Sequence, residues 1–132
     1  MHEYVSDTGV KICVGSDAKE NDALSTTSDP SHWWFHVAGV PGAHVVALTE
    51  TLDRETKRDA AVLAVHHSKV PESHKMTVVD VCRVRGVSKR AHSAYGLVDV
   101  SEEGICELTV FRNKAVEKAR LGRLLITKTT AH

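Results

Sequence analysis

The sequence predicts an α+β fold: a mostly antiparallel or mixed β-sheet with a central hairpin and two or three packed helices. Three observations carry that prediction. Segments that read as strands outnumber those that read as helices. The strand segments adjoin without the regular helical crossovers of a doubly wound sheet. Residues 33–46 run apolar strand, Pro41-Gly42 turn, apolar strand, the pattern of a hairpin. With 132 residues, 42% hydrophobic and 26% charged, the chain is expected to be one domain with an ordinary soluble core.

The elements follow in order. Residues 10–14, flanked by Gly9 and Gly15, form a short strand. Residues 16–32 are a polar connection in which 18–24 makes one helical turn and Pro30 breaks any longer period. The hairpin holds both Trp residues, Phe35, and a histidine on each side of its turn. A turn centred near Val40 sets His36 opposite His44 on one face. By parity Trp34 shares that face, while Trp33 and Phe35 take the other. Residues 51–68 are a helix, with Ala60, Ala61, Leu63, Ala64 and Val65 as its apolar stripe. Thr51 or Asp53 caps it, and Pro71 lies past its end. Residues 76–87 form a strand, with Val81, Arg83, Arg85 and Val87 facing one way and Cys82 and Val84 the other. Residues 97–100 and 105–111 are further strands joined by Glu102-Glu103-Gly104, and 115–125 is a last helix weakened by Gly122. Residues 1–9 and 126–132 lie outside these elements and are expected to be flexible.

Formal net charge is zero, but its placement is uneven. Residues 1–60 carry 5 Lys/Arg against 10 Asp/Glu, and residues 61–132 carry 12 against 7. A neutral chain can therefore still offer a basic face to a polyanion, unless folding interleaves the halves. Cys13, Cys82 and Cys106 are odd in number, lack a C-x-x-C spacing and read as buried thiols. No signal peptide or long apolar run is present, so a soluble, cytoplasmic protein without membrane insertion is expected.

Nine histidines invite a metal site. His36 and His44 are its best candidates, with His32, His66, His67 or His74 as a third ligand, yet no metal-binding spacing is present. G-x-S-x-G and a Gly-rich phosphate loop are absent too. The reading is therefore non-catalytic, without metal or cofactor. Nucleic-acid binding has wider support. Arg83, Arg85, Lys89 and Arg90 cluster on a strand and its following loop, and Lys69 lies at the exit of the long helix. Lys114, Lys118, Arg120 and Arg123 form a second group. Such cations contact phosphates, Trp34 can stack on an unpaired base, and His36 and His44 can hydrogen-bond to it.

These residues resemble the NFACT-R domain, an RNA-binding module of ribosome-associated quality-control factors and of small stand-alone relatives. The resemblance covers about residues 10–110. It begins with Val14-Gly15-Ser16-Asp17 and Asn21-Asp22-Ala23-Leu24. Its central signature is Trp34-Phe35-His36 followed by Pro41-Gly42-Ala43-His44-Val45. Ala60-Ala61-Val62-Leu63-Ala64 with Ser68-Lys69, the segment from Val78 to Lys89, and Gly96-Leu97-Val98 follow in order. The chain departs from the family's pattern at Ser16, where Arg is common, and at His32, where Asp is usual. It also has Arg85-Gly86-Val87-Ser88-Lys89-Arg90 in place of a Lys-Lys pair.

The resemblance implies RNA binding, with transfer RNA or ribosomal RNA and the stalled large subunit as context. The expected contacts are Trp34, His36, His44, Lys69, Arg83, Arg85, Lys89 and Arg90. Two other readings stand beside it: a protein-interaction adaptor that keeps the fold without RNA affinity, and a metal-dependent hydrolase.

Overall fold

The computed structural model describes residues 1–130. Its elements are β1 (His2–Val5), β2 (Lys11–Val14), α1 (Ala18–Thr27), β3 (Trp33–Val37), β4 (Val45–Ala47) and α2 (Arg54–His66). Then come β5 (Thr77–Arg83), β6 (Val87–Ser88), β7 (Asp99–Val100), β8 (Cys106–Val110), α3 (Ala115–Thr127) and β9 (Thr129–Thr130). Seven strands form one sheet in the order β8-β5-β3-β4-β2-β1-β9, and β6 and β7 form a separate ribbon. Every pairing is antiparallel, although within the large sheet only β1-β2 and β3-β4 are neighbours in sequence. The class is α+β.

Strand alternation gives the sheet two apolar faces. One carries Tyr4, Ile12, Phe35, Val37, Val45, Val79 and Val81 against Ala60, Ala61, Leu63 and Ala64 of α2 and Leu124 of α3. The three alanines let α2 lie close to the sheet, against the larger strand residues. The other face carries Cys13, Trp34, Val46 and Cys82, covered by Leu24 of α1 together with Val84 and Val87.

Several expectations change. Residues 1–9 contain β1, which pairs β2 on one side and β9 on the other, so the amino terminus is part of the sheet. Of the expected flexible tail 126–132, residues 129–130 form β9, and 131–132 lie outside the described residues. Helix α1 is longer than the single turn expected. Asp17 accepts a hydrogen bond from the Glu20 amide at 2.8 Å, and the Glu20 carboxylate accepts from the Ser16 amide at 2.9 Å. That reciprocal cap starts a helix of weak propensity. Hydroxyls of Thr26, Thr27 and Ser28 then donate to carbonyls one turn back and close its end. Asp53, not Thr51, caps α2, accepting from the Thr56 amide at 3.1 Å. The alternation expected over 81–87 stops at Arg83, because residues Val84–Gly86 turn as a 3-10 helix. Arg85 is exposed there, whereas Val87 is buried. Cys13 and Cys82 are buried as expected, but Cys106 is exposed because β8 is an edge strand.

Folding interleaves the acidic and basic halves. Asp59 of α2 is fully buried and accepts from Arg120 at 2.8 Å, Arg123 at 2.7 Å and the Asp7 amide at 2.9 Å. Arg120 also reaches Glu55 at 2.8 Å, and this contact holds the Glu55 carboxyl below its usual range. Two of the cations read as a C-terminal basic group therefore bolt α3 to α2. Replacing Asp59 by Ala strands the nearly buried Arg120 without its main partner. Urea unfolding of D59A should show a loss of roughly 3 kcal/mol. A loss under about 0.5 kcal/mol, the range of ordinary surface changes, would show that α3 does not depend on this network.

Candidate nucleic-acid interface

The β3–β4 register pairs Trp34 with Val46 and Phe35 with Val45, so His36 stands opposite His44 about Val40. The two imidazoles meet edge to face, 5.4 Å between centroids. Trp34 stacks on His36 at 5.7 Å and meets His44 edge-on at 5.3 Å. The three rings share one face, as parity predicts.

Helix α1 locks this cluster from above. The Trp34 indole N–H donates to the Ser25 hydroxyl at 2.9 Å, and that hydroxyl lies 2.6 Å from His44 Nδ1. The His44 amide donates to Asn21 Oδ1 at 3.1 Å, while the His44 carbonyl accepts from the Gly15 amide at 3.1 Å. Gly15 is required by this fit, since a Cβ there would fall 2.0 Å from Asn21 Oδ1. On the other side of the turn, Gly42 bridges Ser68, with room for a Cβ only at 3.1 Å from the Ser68 Cα. That close approach brings the residues after α2, Lys69 among them, to the hairpin.

These junctions surround an open cleft of about 740 Å³. Its walls are the Gly15-Ser16-Asp17 step, His36, the Pro41-Gly42-Ala43 turn, His2 with His67, Lys69, and Tyr95 with its neighbours Gly96 and Leu97. His36 is half-buried, and neither ring nitrogen has a hydrogen-bond partner among the described residues. Burial lowers its pKa, against the pull of Asp80 across the sheet. Burial first, then His36, depresses His44 to about 4. His67 is also lowered to about 4, by burial and then by His66 and His2. Its Nε2 lies 2.7 Å from the Tyr4 hydroxyl. At neutral pH the cleft therefore presents uncharged imidazole, able to donate and accept hydrogen bonds, beside one lysine.

The expected contact residues do not form one surface. His36 and Lys69 line the cleft. Trp34 (2% exposed) and His44 (3% exposed) lie beneath it as support, so Trp34 does not offer its face to a base in this conformation. Arg83 pairs with Trp33 three residues along the strand from His36, about 10 Å away. Its guanidinium stacks on Trp33 at 4.1 Å and donates to the Glu50 carbonyl at 2.7 Å and to the Ser31 carbonyl. Arg85 is exposed on the turn beyond it. Lys89 pairs with Asp22 at 3.0 Å, and Arg90 with Asp99 at 2.7 Å. Among the described residues, no group of three His, Cys, Asp or Glu is placed to hold a metal ion. Sequence reasoning missed Tyr95, although it stands directly before the quoted Gly96-Leu97-Val98.

Ser25 joins the indole and the imidazole, so S25A leaves two buried polar atoms unpaired. Its unfolding free energy should fall by about 1–3 kcal/mol, and an unchanged value would show that neither bond contributes. The histidines also predict a pH dependence. Both His44 and His67 fold with pKa values of about 4, below the ordinary 6.5. The unfolded chain then binds more protons between those values, so their contribution is complete above about 6.5 and is lost as pH falls toward about 4. Urea midpoints should fall across that window, and H44Q should flatten the fall. Equal slopes for H44Q and the parent would remove His44 as a source.

The comparisons with known proteins fit this geometry. The NFACT protein RNA binding domain profile matches residues 1–98, which takes in β1 through the Tyr95 loop. The chain is 31% identical over 99 residues to the Rqc2 homolog RqcH of Bacillus subtilis, covering 74% of this chain and 17% of that protein. It is 32% identical over 106 residues to the Rqc2 homolog RqcH of Streptococcus suis, covering 78% of this chain and 19% of the relative. The chain thus spans under a fifth of the length of these curated relatives. A solved structure, the C-terminal part of the fibronectin/fibrinogen-binding protein from Streptococcus suis, superposes with a TM-score of 0.78 at 28% identity. That match covers 89% of this chain and 47% of the other. With its profile match running through the hairpin, the α1 cap and the Lys89–Asp22 pair, this chain belongs to the NFACT protein RNA binding domain family.

Proposed function

We propose that the chain is a non-catalytic, cytoplasmic RNA-binding domain, with transfer RNA or ribosomal RNA as its ligand in ribosome-associated quality control. The observation that carries this reading is convergence. Val14-Gly15-Ser16-Asp17, Trp34-Phe35-His36, Pro41-Gly42-Ala43-His44 and Ser68-Lys69 are far apart in sequence, yet they build one cleft and its support. Family membership and the Rqc2 homologs among its relatives support RNA and the ribosome as the setting. In this reading His36 and Lys69 touch the RNA, and Arg85 extends the contact where a strand runs past the sheet. Trp34 and His44 hold His36 in place. Lys89 positions the loop that carries Tyr95, Arg90 adds an exposed but paired charge, and Arg83 braces Trp33.

The adaptor reading has one observation in its favour: Arg83, Arg120 and Arg123 are committed to internal partners, which leaves a thin basic footprint. The salt dependence of binding separates the two. Anisotropy titrations with labelled transfer RNA and single-stranded RNA should give a shallow slope, about −0.7 for each phosphate neutralised on a single strand. K69A should weaken binding and reduce the slope by about 0.7, whereas R83A should leave the slope unchanged. Loss of slope in R83A would return Arg83 to the interface. A folded protein that binds no RNA at low salt would select the adaptor.

A further inference from the structure

Tyr95 sits on a loop that is held unusually firmly for a surface turn. Lys89 Nζ donates to the carbonyls of Ala94 and Leu97, the residues flanking Tyr95-Gly96, the second at 2.7 Å. The same ammonium pairs at 3.0 Å with Asp22 of α1, and both side chains are largely buried. The Gly96 amide donates to Asp22 Oδ1 at 2.7 Å. Gly96 itself has φ +85° and lies against Ala18, where a Cβ would come within 3.3 Å of the Ala18 Cβ. The backbone around Tyr95 is therefore fixed to α1, yet the residue is 65% exposed, and its hydroxyl has no hydrogen-bond partner among the described residues. An aromatic face on a fixed backbone gives up little conformational freedom when another ring stacks on it.

We propose that Tyr95 is the platform on which one unpaired RNA base stacks, with a ring nitrogen of His36 meeting the base edge and Lys69 the adjoining phosphate. This deepens the RNA-binding reading of the same cleft and rests on it. Tyr95, His36 and Lys69 line one cleft, whose volume of about 740 Å³ is in the range of pockets that enclose a small ligand. Neutral imidazole offers one donor and one acceptor, the complement of a base edge. A single lysine fits one backbone phosphate, where the double row of phosphates on a duplex asks for a wider basic surface. Buried Trp34, the aromatic first suggested by the sequence, cannot take this part.

The test uses the full chain and a short single-stranded RNA carrying one 2-aminopurine, the same RNA with abasic sites, and an RNA duplex. The parent should prefer the single strand with bases and should quench the 2-aminopurine. Y95A should lose about tenfold to a hundredfold in affinity, together with the quenching, while Y95F keeps both. K69A should weaken the abasic and base-containing strands alike. If the parent binds RNA but Y95A matches it, or if abasic and duplex RNA bind as well as the single strand, the platform is overturned and the RNA reading stands. If the parent binds no RNA at low salt, both fall together.

Discussion

A slip of one residue between β3 and β4 would set His44 on the opposite face from Trp34 and His36, and Val45 on the opposite face from Phe35 and Val37. The register about Val40 is therefore the constraint on which both faces depend. It is held by apolar burial on one side and by polar bonds on the other. Phe35 and Val45 are fully buried under α2. On the opposite side, Asn21 and Gly15 bond the backbone of His44, and Ser25 bonds the side chains of Trp34 and His44. Those polar bonds read the same register a second time. They also seat α1, and a seated α1 supplies Asp22 and Ala18 to the loop that presents Tyr95.

Charge is used in this chain mainly to join elements. Asp59 draws Arg120 and Arg123 across from α3, and Asp22 draws Lys89 onto α1. A buried or half-buried pair of this kind is costly to break and gives a modest net gain against an apolar alternative. Its value is positional: each fixes one element relative to another. The same commitment ties those cations to partners within the chain, which leaves Lys69 as the lysine of the cleft.

Much of the fold was legible in the sequence because it rests on local periodicity. The hairpin, its face assignments, the α2 stripe and the sheet-rich class all follow from alternation and turn residues. Where the structure departs from the local reading the cause is shared, namely long-range partners that leave no local trace. β1 is short and polar at one end, and it becomes a strand because β2 and β9 lie on either side of it. Arg83 reads as a docking cation until the Glu50 and Ser31 carbonyls are seen to take it. Trp34 reads as a stacking face until α1 covers it. Spacing gave the correct pairing of His36 with His44 but could not tell which histidine would remain open to solvent. Tyr95 carries no periodic signal; only the two carbonyls held by Lys89 and the contact of Gly96 with Ala18 show that its backbone is fixed.

Lys89 shows how the two uses of charge meet. Its ammonium could have served as a phosphate contact, as its place in the sequence suggests. It is instead enclosed by Asp22 and two carbonyls, where it neutralises a carboxylate at the edge of the cleft and sets the backbone of Tyr95. Removing that cation would leave the Asp22 carboxylate without its charge partner and the loop tied to α1 by Gly96 alone. In the proposed reading the part of Lys89 is therefore indirect, through geometry and local charge balance. Under the proposed reading, such a cleft would discriminate by the presence of an accessible base more than by the density of phosphate. Duplex and single strand both carry phosphate, but only the single strand can give a base to a fixed aromatic ring without first breaking a pair.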